Sequence, residues 1–189
     1  MNRFTSSNLF IKITLLAAFA VLGMGASVFA ASAVEMREKS EIALRQLYRT
    51  NPGAQAIGEK ALAVLVFPEI YKASFLFGFQ RGDGVLYEAG SVRGYYNTTA
   101  ASLGLQAGLQ KFGYALFFID QDALDYLNNS NGFELGSAPS LVVADSGYSS
   151  SVSTTTAQSG IYAFFFSQSG LMAGIDVQGT KITKYTPSK

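Results

Sequence analysis

The chain has no cysteine, no histidine and no tryptophan in 189 residues. Without cysteine there is no disulfide framework, no thiol nucleophile and no thiolate metal site. Without histidine there is no imidazole base, no Ser-His-Asp triad and no Cys/His zinc site. Catalysis would have to run on carboxylates, Lys, Tyr, Ser or Thr alone. Charge is also sparse, at 14% of residues, while apolar residues make up 49%. That balance is too apolar for a disordered chain and too mixed for a bundle of membrane helices. The length predicts one domain.

The first thirty residues read as an address. Met1–Lys12 carries Arg3 and Lys12 and no acid, and Ile13–Leu22 is a continuous apolar run. Small residues then precede two candidate cuts, one after Ala30 and one after Ala33. This is the order of a secretory signal peptide. The alternative is an uncleaved anchor, because no charge falls between Ile13 and Val34, although Gly23, Gly25 and Ser27 interrupt the run. The expected division is therefore a signal peptide over 1–30 and one domain over 31–189. The expected location is periplasmic or secreted, with peripheral membrane association.

The remaining chain has a net charge of −1, unevenly spread. Arg37–Lys111 holds nine basic and six acidic residues, and no Lys or Arg falls between Phe112 and Thr180. An anionic ligand is therefore expected on the first half. No global field favours nucleic acid, which is not an expected partner.

Ala33–Arg49 has helical periodicity, with Met36, Ser40, Ala43, Leu44 and Leu47 on one stripe. Asn51 suits a cap and Pro52 the first turn of a second, short helix over about Pro52–Ala61. From Leu62 onward the texture is that of strands. Leu62–Phe67, Ala73–Phe79, Val85–Gly90, Ser91–Thr99, Ser102–Gln110 and Tyr114–Ile119 read as a meander, with a hairpin turn at Gly82-Asp83-Gly84. Asp120 caps one helix over "QDALDYLNN". Ser140–Asp145, Ile161–Ser167, Leu171–Val177 and Lys181–Tyr185 read as further strands, and Ser149–Gln158 as a loop or edge strand. The expected fold class is α+β. It is a single domain with a curved antiparallel β-sheet, barrel- or sandwich-like, two N-terminal helices and one mid-chain helix. Continuous apolar runs argue against a membrane β-barrel, whose strands alternate.

Motifs with chemistry are weak. Gly78-Phe-Gln-Arg-Gly82-Asp-Gly84 lacks the Lys-Ser/Thr of a phosphate loop. Asp120-Gln-Asp122 with Asp125 lacks the central glycine of a calcium loop and reads as helix capping. No cofactor, no metal site and no catalytic residue is expected.

"LVFPEIYKASFLFGFQRGDGVL" (Leu65–Leu86) and "GYYNTTAASLGLQAGLQKFGYALFF" (Gly94–Phe118) resemble the SYLF family. So do "GSAPSLVVAD" (Gly136–Asp145), "STTT" (Ser153–Thr156) and "IYAFFFSQSGLMAGIDVQGTKIT" (Ile161–Thr183). Together with the leader, the pattern resembles the short exported bacterial members. Ser74 and Phe79 stand where the family usually has glycine. The resemblance implies binding of anionic membrane lipids, phosphoinositides in eukaryotic members, and no catalytic activity. The lipid-binding candidates are Lys72, Arg81, Arg93 and Lys111, followed by Arg37, Lys39, Arg45 and Arg49 on the first helix. The expected partners are anionic lipids or a membrane surface. Self-association as an envelope scaffold, through exposed rings at Tyr162 and Phe164–Phe166, is the alternative.

Overall fold

The computed structural model describes residues 32–129, 132–135, 141–144, 160–170 and 179–187. The proposed leader, the Ser149–Gln158 stretch and the Leu171–Val177 strand lie outside the described residues. The body is an α+β domain with this order: α1 (Ala33–Thr50), α2 (Pro52–Gly58), β1 (Ala63–Glu88), β2 (Ser91–Phe118), α3 (Gln121–Asn129), β3 (Phe133–Glu134), β4 (Leu141–Ala144), β5 (Ile161–Gly170) and β6 (Lys181–Tyr185).

The helices start where their caps predict. Ser32 accepts a hydrogen bond from the Glu35 N–H at 3.2 Å, and Asn51 Oδ1 accepts from the Ala54 N–H at 3.0 Å. Asp120 caps α3 with Oδ1, accepting from Ala123 N–H at 2.8 Å. Its Oδ2 accepts from Gly160 N–H at 2.6 Å, tying the helix to the start of β5. The calcium-loop resemblance therefore resolves into capping.

The strands differ from the expected meander. Six short strands are instead one long antiparallel hairpin, β1 against β2, paired from Ala63↔Phe118 to Glu88↔Ser91. Its turn is Ala89-Gly90, with φ of 46° and 74°. Positive φ at both central residues is what a two-residue hairpin turn of type I′ requires. Gly82-Asp83-Gly84, expected as the turn, lies inside β1. Those glycines serve close packing. A Cβ on Gly82 would lie 2.6 Å from Ile70 Cγ1 and 2.8 Å from the Glu69 carbonyl oxygen. A Cβ on Gly84 would lie 2.6 Å from the Val66 carbonyl oxygen.

Those contacts show that the hairpin folds back on itself. Residue 84 meets residue 66 of the same strand, and in β2 the Tyr114 hydroxyl donates to Thr98 Oγ1 at 2.8 Å across the curl. The bend lies where the register shifts between Ser74 and Leu76. A bulge there supplies the kink. β2 is the spine: its first half pairs with β6 and its last with β5, while β4 adds to β5 in parallel.

Two apolar clusters fill the faces of this curled sheet. Inside lie Leu65, Phe67, Ile70, Leu86, Tyr114 and Leu116, among others. Outside, Val64, Val66, Val85, Phe117 and Phe164 are covered by Met36 and Leu47 of α1 and Ile57 of α2. Each fully buried side chain of this size contributes about 1.5–3 kcal/mol. Tyr162 and Phe164 are buried, and Phe165 and Phe166 pack against the clusters. The aromatic tail expected at an exposed edge is thus a core element, because β5 is flanked by β2 and β4.

Candidate functional site

Alternation along β1 decides which face each candidate occupies. Ile70, Gln80 and Leu86 are buried on the inner face. Among the residues of β1 between Ile70 and Arg81 whose side chains are described, the even-numbered ones share that face and the odd-numbered ones face outward. Near its start the outward row meets α1. Past the end of α1's cover it is open.

The first outward residue after the Pro68 irregularity is Glu69, which joins two candidates. Lys111 Nζ donates to Glu69 Oε1 at 2.6 Å, and Lys39 Nζ of α1 reaches Oε2 at 3.4 Å. Lys39 also pairs with Glu35 at 2.9 Å. The Lys111 hydrogen bond, ahead of the other contributions, holds the Glu69 carboxyl below its ordinary value. The same bond raises Lys111, and the bond with Glu35 raises Lys39. Lys111 Nζ also sits 5.5 Å from the centre of the Tyr71 ring, its cross-strand partner. The cluster fixes α1 to the middle of the hairpin.

Beyond it, the described outward side chains of β1 as far as Phe79 are apolar and open. Tyr71 is 59% exposed, Phe77 73%, Phe79 56% and Leu109 80%. Leu109 is opposite Ala73, and Phe79 is opposite Ala101. Arg81, exposed and opposite Thr99, closes the row at its far end. Lys111 on one arm of the bend and Arg81 on the other therefore stand beyond these apolar side chains, each on the outward face of its arm. Ile70–Gly82 and Thr98–Lys111 contain Lys72, Arg81 and Lys111 and no carboxylate.

The remaining candidates lie elsewhere. Lys72 belongs to the inner row, opposite the buried Gln110, and has no carboxylate within ion-pair distance among the described residues. Arg93 pairs with Glu88 at 3.2 Å near the hairpin turn, about 20 Å along β2 from Thr99. On α1, Arg37 and Arg45 both reach Glu41, at 3.9 and 3.7 Å. Arg49 is exposed in the last turn, where a cation complements the helix dipole. The structure thus brings Lys39 and Lys111 together, and places Arg81 on the outward side of the other arm of the bend.

A cleft of about 410 Å³ opens at the other end of the body, lined by Leu44, Arg45, Tyr48, Leu62, Val64 and Tyr87, among others. Burial pushes the Tyr48 and Tyr87 hydroxyls up to about 12, which leaves them neutral. Among the described residues, no three Asp or Glu side chains are grouped to hold a metal ion. No described helix is long and apolar enough to cross a membrane, which says nothing of strands.

A family model described as "Ysc84: Las17-binding protein actin regulator" matches residues 99–187. Those residues belong to the SYLF family. The match takes in the second half of β2 and every later element, and a coarse lipid-binding role is consistent with it. No curated protein matches the chain. Phe79, one of the two departures from the SYLF glycine pattern, is one of the rings on the open row. Sequence reasoning found the cations but missed Glu69 as their hub and missed the open aromatic row. The available signal was parity: Tyr71, Ala73, Phe77 and Phe79 share one face of an extended chain.

Proposed function

We propose that this chain is an exported, peripheral lipid-binding protein of the bacterial cell envelope that recognises anionic headgroups and catalyses no reaction. The observation that carries this reading is the bend of the hairpin, where Lys72 and Arg81 lie outside ion-pair distance of any described carboxylate and Lys111 shares Glu69 with Lys39. Lys111 and Arg81 stand on the outward faces of its two arms, and Lys72 lies on the inner side of β1. The SYLF match over residues 99–187 supports a lipid as the ligand. The leader-like first thirty residues favour an envelope membrane over a cytoskeletal partner.

Each Lys or Arg held near an anionic surface contributes about 1 kcal/mol, and the attraction fades within a Debye length. Attachment should therefore be weak and sensitive to salt. The test is co-sedimentation with phosphatidylcholine vesicles and with equimolar phosphatidylcholine–phosphatidylglycerol vesicles, at low and high salt. The expected result is retention on the anionic vesicles only, lost at high salt, with Arg81→Ala weakening it about fivefold. Equal retention on both vesicles would refute headgroup recognition.

A further inference from the structure

The open row at the bend has a role that charge alone does not explain. Tyr71, Phe77, Phe79 and Leu109 are each more than half exposed, Tyr71 and Leu109 on the outward face of one arm of the bend and Phe77 and Phe79 on that of the other. Monomeric soluble proteins rarely leave several large apolar side chains exposed around one bend without a use. The fold-back also puts these side chains at one end of the body. Leu62, Ala63, Tyr87, Ala89 and Gly90 meet around the cleft at the other end.

We propose that this row is a bilayer-insertion surface: Phe77, Phe79 and Leu109 enter the interfacial layer of an anionic membrane, Tyr71 sits at headgroup depth, and Lys111 and Arg81 lie against the phosphates. The inference rests on the lipid-binding reading and adds to it the depth and orientation of binding. Two features favour a lipid surface over a second copy of the chain. Cations outnumber carboxylates around the bend: Lys39 and Lys111 share Glu69 on one arm, Arg81 and Asp83 stand two residues apart on the other, and Lys72 lies between. An anionic surface meets that excess favourably. Tyr71, with its hydroxyl donating to Glu69 Oε2 at 3.4 Å and Lys111 over its ring, has the amphipathic placement that suits a membrane–water boundary.

The absence of tryptophan makes the test direct, since one introduced indole is the only one in the protein. Full-length chains carrying Phe79→Trp, Phe77→Trp or Leu62→Trp are mixed with phosphatidylcholine–phosphatidylglycerol vesicles, with and without brominated acyl chains. Binding is followed by co-sedimentation and depth by emission wavelength and bromine quenching. The expected result is a blue shift and quenching at positions 77 and 79 and neither at 62, which is exposed at the opposite end. Because each probe reports its own depth, attachment through the apolar run Ile13–Leu22 does not imitate this pattern. Phe77→Ser with Phe79→Ser should lower vesicle partitioning by about tenfold per ring. If the chain binds vesicles while probes 77 and 79 stay unshifted, insertion is wrong and the lipid reading survives. If it binds no anionic vesicle, both fall. If the blue shift appears without vesicles and follows a concentration-dependent oligomer, a second copy covers the row and the proposal is overturned.

Discussion

Replacing Gly84 by alanine tests the fold-back that creates the bend. An added Cβ would lie 2.6 Å from the Val66 carbonyl oxygen, 2.6 Å from Phe67 Cδ1 and 2.8 Å from Phe67 Cε1. The carbonyl is held in the strand. The Phe67 ring is fully buried with its centre 4.9 Å from that of Tyr114, so it has nowhere to swing. Relief must come from separating two parts of β1 across the inner core. Overpacking of this kind costs about 1–3 kcal/mol, and the backbone contact places Gly84→Ala near the upper half of that range. For a body of this size about 2 kcal/mol lowers Tm by about 4–8 °C. The control is Gly108→Ala, where a Cβ meets nothing within 4 Å and φ is not positive. That change should be neutral, or slightly stabilising through the unfolded chain. Thermal and urea unfolding followed by circular dichroism measures both. Equal midpoints for the two variants would refute the packing of residue 84 on residue 66, and the curled hairpin with it.

Two further changes probe the joints of the domain. Glu69→Gln should cost about 1 kcal/mol at neutral pH, since it leaves Lys39 and Lys111 without their shared carboxylate. The Glu69 carboxyl titrates below its ordinary value of 4.5 in the folded chain. Its contribution is therefore present above that pH and is lost as pH falls through the lowered value. Urea midpoints measured from pH 6 downward should fall less steeply in the variant, and parallel curves would contradict this. The raised lysines act at the other limit, their contribution being complete below 10.5 and lost only above it. Asp120→Ala removes both the α3 cap and the acceptor for Gly160 N–H, at a cost of about 2 kcal/mol. Asp120→Asn, which keeps an acceptor oxygen for the cap, should recover part of the loss in the same unfolding assay.

The helices were legible because their signals are local. The Met36–Leu47 stripe, Asn51-Pro52 and Asp120 each act within a turn of the chain, and the structure places α1, α2 and α3 on them. The strands were legible as apolar segments but not as two long ones. A turn at Ala89-Gly90 puts a β-branchless but Cβ-bearing residue at positive φ, so it lacks the usual Asn-Gly or Asp-Gly signature. Gly82 and Gly84 imitate a turn while serving a contact with residues far along the chain, which no local reading shows. The same long-range fold buries Phe164, pairs Lys111 with Glu69 rather than leaving it to face a ligand alone, and turns Lys72 away from it. The open row from Tyr71 to Phe79 reads as core in sequence, because apolar residues carry no mark of whether a helix covers them.

The central claim is that the bend of the hairpin meets an anionic membrane. Its most direct test is retention of the chain on phosphatidylglycerol-containing vesicles against phosphatidylcholine vesicles, across a salt series. The account predicts retention that needs the anionic lipid and decays as salt rises. Retention indifferent to lipid charge and to salt would contradict it.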